Sequence, residues 1–80
     1  MDSETTLWRL PTLIRETGRK RSSLYNDVSR GTMTRPIRIG PGAVAWPARE
    51  VAALNRARIA GRSDDEIRAL VAQLHAARTA

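Results

Sequence analysis

The stretch from Gly18 to Gly31, GRKRSSLYNDVSRG, constrains this chain more than any other. A helix confined between those two glycines is too short to persist alone in water, so other elements must hold it in place. Leu24 and Val28, spaced i, i+4, supply the one face that neighbours can cover. Arg19, Lys20 and Arg21 lead the segment, Ser22 and Ser23 follow, and the groups left facing outward are short and polar, Asn26 and Ser29 among them. A short helix whose N-terminal end carries cations and small hydroxyls has the surface of one that enters a DNA major groove.

The chain that must support this helix is 80 residues long and contains no cysteine. Such a length makes one small domain, burying roughly 60% of the surface its unfolded chain would expose. Without cysteine, disulfides and thiolate zinc sites are excluded, so the core comes from apolar packing, with a dimer interface as a possible addition. The opening MDSETT is acidic and polar, unlike a secretory signal, and no apolar run approaches a membrane span. The bacterial cytoplasm, at the nucleoid, is the expected compartment, with no membrane, metal or cofactor involved. The net charge of +6 is unevenly spread. Arg19, Lys20, Arg21, Arg30, Arg35 and Arg38 face a single acid, Asp27, between Gly18 and Gly42, whereas the rest of the chain is close to balanced. Such clustering suits a polyanion-binding face; ordinary basic solubility is the alternative.

Residues 1 to 6 are expected to be frayed or disordered. Leu7, Trp8 and Leu10 form the first apolar cluster. A first helix is expected over Pro11 to Thr17, with proline in its opening turn, Leu10, Leu13 and Ile14 inward, and Gly18 as its left-handed stop. A helix, a glycine-containing turn and a second helix over about 20 to 30 make a helix-turn-helix, whose second helix is the reader. Serine in the first turn of that helix suits either free backbone N–H groups or phosphate oxygens. Arg30 and Gly31 suit its last turn and its end. Tyr25 fits two roles, a core ring or a hydroxyl on a phosphate.

From Thr32 to Trp46 the period changes to two. Ile37-Arg38-Ile39 and Ala43-Val44-Ala45-Trp46, joined by Gly40-Pro41-Gly42, predict a β-hairpin over 36 to 46. In the first run Ile37 and Ile39 are expected to face in, leaving Arg38 on the other face; in the second, Val44 and Trp46 are the expected inward pair. Directly after a recognition helix, a hairpin acts as a wing that sets Arg35 and Arg38 beside a sugar-phosphate backbone; alternatively it only covers the core. Pro47 is expected to open a third helix ending near Ala60 and Gly61, with Val51, Leu54 and Ala57 or Ile59 on its apolar side. Ser63 to Glu66, SDDE, matches a capping box for a last helix to about Arg78, and Asp64 stands four residues before Arg68. Ile67, Leu70, Val71, Leu74 and Ala77 form its stripe, to be buried on the domain or against a second copy. Dimerisation through Ile67, Leu70, Val71 and Leu74 is the preferred expectation, because single modules gain affinity and specificity by pairing on two half-sites. His75, the only histidine, has no metal-ligating neighbour in sequence.

Over about residues 7 to 60 the chain resembles the AlpA family of phage-type transcriptional regulators. The motifs are Leu10-Pro11, Thr17-Gly18, Arg21-Ser22-Ser23-Leu24-Tyr25, Gly31, Pro36, Ile39-Gly40 and Ala43-Val44-Ala45-Trp46. The resemblance implies a mainly α, winged helix-turn-helix fold akin to MerR-type DNA-binding domains over 7 to 61, followed here by a C-terminal amphipathic helix over 62 to 80. It further implies double-stranded DNA as partner near prophage or integrative-element genes, an activator or excisionase-like role beside RNA polymerase or an integrase, and no catalysis. Arg21, Ser22, Ser23 and Tyr25 fall at the DNA-facing start of the recognition helix in that family. Lys20 stands where many members have serine, which shifts the expected helix start towards Ser22. Asn26 stands where many have arginine, which moves the expected base preference from guanine to adenine.

The residues and the resemblance together nominate Arg21, Ser22, Ser23 and Asn26 for base edges, and Arg19, Lys20, Tyr25, Arg30, Arg35 and Arg38 for the backbone. A rival reading is an architectural excisionase that bends DNA and uses the last helix to contact an integrase. Another, from a different class, is a protein-interaction module such as an antirepressor or antitoxin. No Cys/His, Ser/His or paired-carboxylate arrangement suggests an enzyme beyond the capping acids.

Overall fold

Two left-handed glycines set the corner on which the fold turns. In the computed structural model, which describes residues 5–79, α1 (Leu10–Thr17) ends at Gly18, φ 70°, whose N–H donates to the Ile14 carbonyl at 3.0 Å. A side chain at that φ would be strained. After two residues α2 (Arg21–Arg30) begins, and it ends at Gly31, φ 79°. There Thr32 N–H reaches the Asp27 carbonyl at 2.9 Å and Gly31 N–H the Val28 carbonyl at 3.2 Å, the pair of bonds that closes a Schellman motif. Leu24, fully buried, and Val28 anchor α2 to the core, as their spacing requires.

The hairpin is present as β2 (Ile37–Gly40) and β3 (Ala43–Pro47). A third strand, β1 (Leu7–Trp8), pairs antiparallel with the other edge of β3, Leu7 opposite Pro47 and Trp8 opposite Trp46. The order β1-β3-β2 makes β3 central, so Ala45 and Trp46 are both buried. Of the stretch expected to be frayed, residues 1–4 lie outside the described residues. Thr6 is engaged: its carbonyl accepts from Ala48 N–H at 2.8 Å, continuing the β1–β3 ladder.

One expected inward residue faces out. Ile37 pairs with Ala45 and Arg38 with Val44, but the register then jumps to Gly40 opposite Ala43. Ile39 is the residue left over at that irregularity, and it is 44% exposed. Pro47 ends β3 and flanks α3 (Ala48–Ile59) rather than opening it. Val51 and Leu54 of α3 are buried and Ala57 lies against them, whereas Ile59 points to solvent at 85% exposure.

α4 (Asp64–Ala77) starts on the capping box: Glu66 N–H donates to the Ser63 hydroxyl at 3.2 Å and Ser63 N–H to the Glu66 carboxylate at 2.9 Å. Arg68 pairs with Asp65 at 2.9 Å rather than with Asp64, and Glu66 lies 3.7 Å from Arg62. Arg68 Nε also donates to the Arg30 carbonyl at 3.0 Å, which aims its guanidinium back across the helix towards Asp65. The apolar stripe is satisfied within the chain. Ile67 and Val71 are buried with Leu13, Leu24, Met33, Trp46, Val51 and Leu54, and Leu70 and Leu74 pack against them. Ile67 and Val71 therefore have no surface to offer a second copy, which corrects the expected seam; Ala77 is exposed. Among the described residues no helix is long and apolar enough to cross a membrane.

Candidate nucleic-acid interface

The first turn of α2 is open. Lys20 is extended, φ −80°, ψ 165°, its carbonyl accepts from Leu24 N–H at 3.0 Å, and no side chain caps the helix. Neither Ser22 nor Ser23 supplies the hydroxyl cap expected of it. The N–H groups of Arg21, Ser22 and Ser23 thus point out of the helix end without an intrahelical acceptor. Ser22 and Asn26, spaced i, i+4, are exposed on one face. Ser23 is half-buried and shares its side of the helix with buried Asp27, so it is worse placed than Ser22 to meet a ligand.

Arg21 is held in place by aromatic contacts. Its guanidinium carbon lies 5.7 Å from the Tyr25 ring centre, within cation–π range. Tyr25 in turn meets Trp46 edge-on, ring centres 6.0 Å apart at 69°. Trp46 is fixed by donation from its indole N–H to the Thr34 carbonyl at 2.8 Å. Tyr25 packs on the core, as one of its two readings has it, and also lines an open cleft.

That cleft, about 510 Å³, lies between α2 and the hairpin. Arg9, Arg21 and Arg38 line it with Tyr25, Pro36 and Val44. Three arginines thus line one concave surface, and no acid among the described residues lines it with them. Arg9 escaped the sequence reading because it lies outside the basic stretch 18 to 42. Its signal was position: it follows the two residues of β1 and precedes Leu10-Pro11, so pairing of β1 with β3 delivers it beside the hairpin.

Two other expected backbone contacts, Arg19 and Arg35, are engaged within the chain. Arg19 pairs with buried Asp27: its Nη2 donates to Oδ1 at 3.1 Å and its Nε lies 2.9 Å from Oδ2 as an ion pair, tying the turn to the body of α2. Removal of Arg19 would leave Asp27, the lone acid of the basic stretch, buried without its cation. Arg35 is gripped by α4: its N–H donates to His75 Nε2 at 3.0 Å and its carbonyl accepts from Arg78 at 2.8 Å. Arg30 is exposed at the far end of α2, and Lys20 is exposed beside the open turn. Burial, then the Arg35 and Arg78 guanidiniums, hold His75 below its ordinary value of 6.5, with Glu50 opposing. No cluster of metal-ligating groups occurs among the described residues.

Helix, glycine turn, second helix with an open N-terminal end, and a hairpin beside it define a winged helix-turn-helix. The family model described as the prophage CP4-57 regulatory protein (AlpA) matches residues 6–59, and the chain belongs to that family of phage-type regulatory proteins. No curated protein and no solved structure matches it.

Proposed function

We propose that this chain is a sequence-specific double-stranded DNA-binding regulator of prophage or integrative-element genes, with α2 in the major groove and the β2–β3 hairpin as wing. The observation that carries the reading is the meeting of Arg9, Arg21 and Arg38 in one open cleft beside the exposed Ser22–Asn26 face of α2. Phosphates of one strand occupy the cleft of Arg9, Arg21 and Arg38 and fix the register, while Asn26, with Ser22, meets base edges. Asn26 suits adenine, to which its amide can both donate and accept. No catalytic step is part of this function.

Selection of bound sequences from random duplex DNA tests it. A recurrent motif is expected, and Asn26→Ala should cost about 1–3 kcal/mol on that motif and much less on random DNA. Equal losses on both, or no enriched motif, would reject base reading.

One observation favours an excisionase-like variant of this reading. The α4 stripe expected to form a dimer seam is used inside the chain, so the free protein is expected to be a monomer by sedimentation. A DNA-bending monomer beside an integrase then fits better than a preformed dimer on a palindrome. A concentration-dependent dimer would reverse that preference.

A further inference from the structure

His75 in the last turn of α4 and Arg78 at its C-cap hold both backbone groups of one residue, Arg35, in the segment that feeds the wing. We propose that His75 and Arg78 are positioning residues for the wing, and that neutral His75 is a latch which opens on acidification. The functional consequence rests on the DNA-binding reading above; the latch itself does not.

Arg35 N–H donates to His75 Nε2 at 3.0 Å, and Arg78 Nη2 donates to the Arg35 carbonyl at 2.8 Å. Arg78 is itself fixed by a fork onto Glu50, 2.7 Å from Nε to Oε2 and 2.6 Å from Nη2 to Oε1. Glu50 is buried in the first turn of α3, so the clamp is bolted to the core. The residue after Arg35 is Pro36, which lines the cleft and restricts the Arg35 backbone; Arg38 stands two residues further on, also in the cleft wall. The end of α4 is thus joined, through one backbone unit, to the surface assigned to a DNA strand.

The bond at Nε2 requires a lone pair there, which places the proton of the neutral ring on Nδ1. A second proton removes the only acceptor and sets an N–H against an N–H. The groups facing the ring act as charges. The Arg35 guanidinium lies 3.3 Å from Nδ1, which carries the ring proton and so accepts no bond from it; it stands there as a cation, Arg78 adds a second, and the one acid nearby, Glu50, is taken by Arg78. Burial and these cations push the His75 pKa down from 6.5. The latch therefore contributes its full stability above 6.5 and loses it as pH falls through the lower folded value.

Protonation has two opposed effects on DNA. An added positive charge alone strengthens binding to a polyanion. Release of Arg35 weakens it, because Pro36 and Arg38 are no longer held in place on the cleft wall. The sign of the pH dependence separates the two.

The experiment is a titration of the full chain between about pH 7.5 and about pH 5, read by ¹⁵N–¹H NMR and by affinity for a duplex of the selected motif. The Arg35 amide is expected to move with the same midpoint as the His75 ring, below the ordinary histidine value. Affinity is expected to fall roughly fivefold or more on acidification. His75→Gln keeps an acceptor that does not titrate, so it should bind as wild type does at neutral pH and lose the His75-linked fall. An Arg35 amide indifferent to the His75 titration, or wild-type affinity that rises on acidification, would overturn the latch. If the chain bound no duplex at any pH, the DNA reading would fail while the Arg35 and Arg38 amides still judged the latch.

Discussion

At the start of α4, Ser63 and Glu66 satisfy one another's backbone N–H groups, and Asp64, Asp65 and Glu66 place three acids on the positive end of the helix. At the start of α2, Lys20 adopts nearly the same extended backbone as Ser63, yet no side chain caps the helix and its first turn holds no acid. Lys20 and Arg21 instead add positive charge where the helix dipole is already positive, an arrangement that costs about 0.3–1 kcal/mol per cation. One chain contains both solutions, so the open end of α2 is not a default of composition. It is the arrangement that an incoming phosphate relieves, and on the proposed reading that phosphate belongs to DNA.

Removing the cleft cations strikes this contrast hardest. The triple substitution Arg9→Ala, Arg21→Ala, Arg38→Ala should weaken duplex binding on the order of 100-fold or more at physiological salt, while thermal stability moves little, because all three side chains are exposed. Anisotropy titration beside a melting curve checks both; wild-type affinity in the triple variant would empty the contrast of functional meaning.

Giving α2 the kind of cap that α4 has should separate stability from binding. Lys20→Asp is expected to stabilise the fold by roughly 0.5–1 kcal/mol and to lower DNA affinity about tenfold. A gain in both would show that the open end has no role in binding. Ser63→Ala reverses the logic at the other helix. Denaturant unfolding should show a loss of about 1 kcal/mol with affinity unchanged.

The smallest effect is expected from pH. Backbone and side-chain bonds with Ser63 hold the Glu66 carboxyl below its ordinary value of 4.5. Its contribution to stability is complete above 4.5 and fades as pH falls through the lower folded value. Glu66→Gln should flatten that part of the stability profile; an unaltered profile would deny the carboxylate its capping role.

The difference between local and long-range information decides what the sequence disclosed. Gly18, Gly31 and the Ser63–Glu66 box punctuate helices through bonds spanning a few residues, and they stand where the spacing puts them. β1 was not legible, since Leu7–Trp8 is too short to show a period and is a strand only because β3 runs beside it. Arg9 was missed with it. The α4 stripe announced that it would be buried, but periodicity is silent about the partner, and Ile67 and Val71 found it in their own core. The Arg19–Asp27 ion pair and the Arg78–Glu50 fork follow from tertiary approach, which no charge count reveals. Arg21, Tyr25 and Arg38 were legible as candidates; their convergence on one cleft was not.

On the proposed reading, Arg9, Arg21 and Arg38 in the cleft and Lys20 at the open end of α2 seat the phosphates of one DNA strand. The salt dependence of duplex binding measures how many of them do. With four phosphates neutralised at about −0.9 each, log K against log salt should fall with a slope near −4, and the triple arginine variant should fall with a slope near −1. A wild-type slope between about −1 and 0 would contradict the claim.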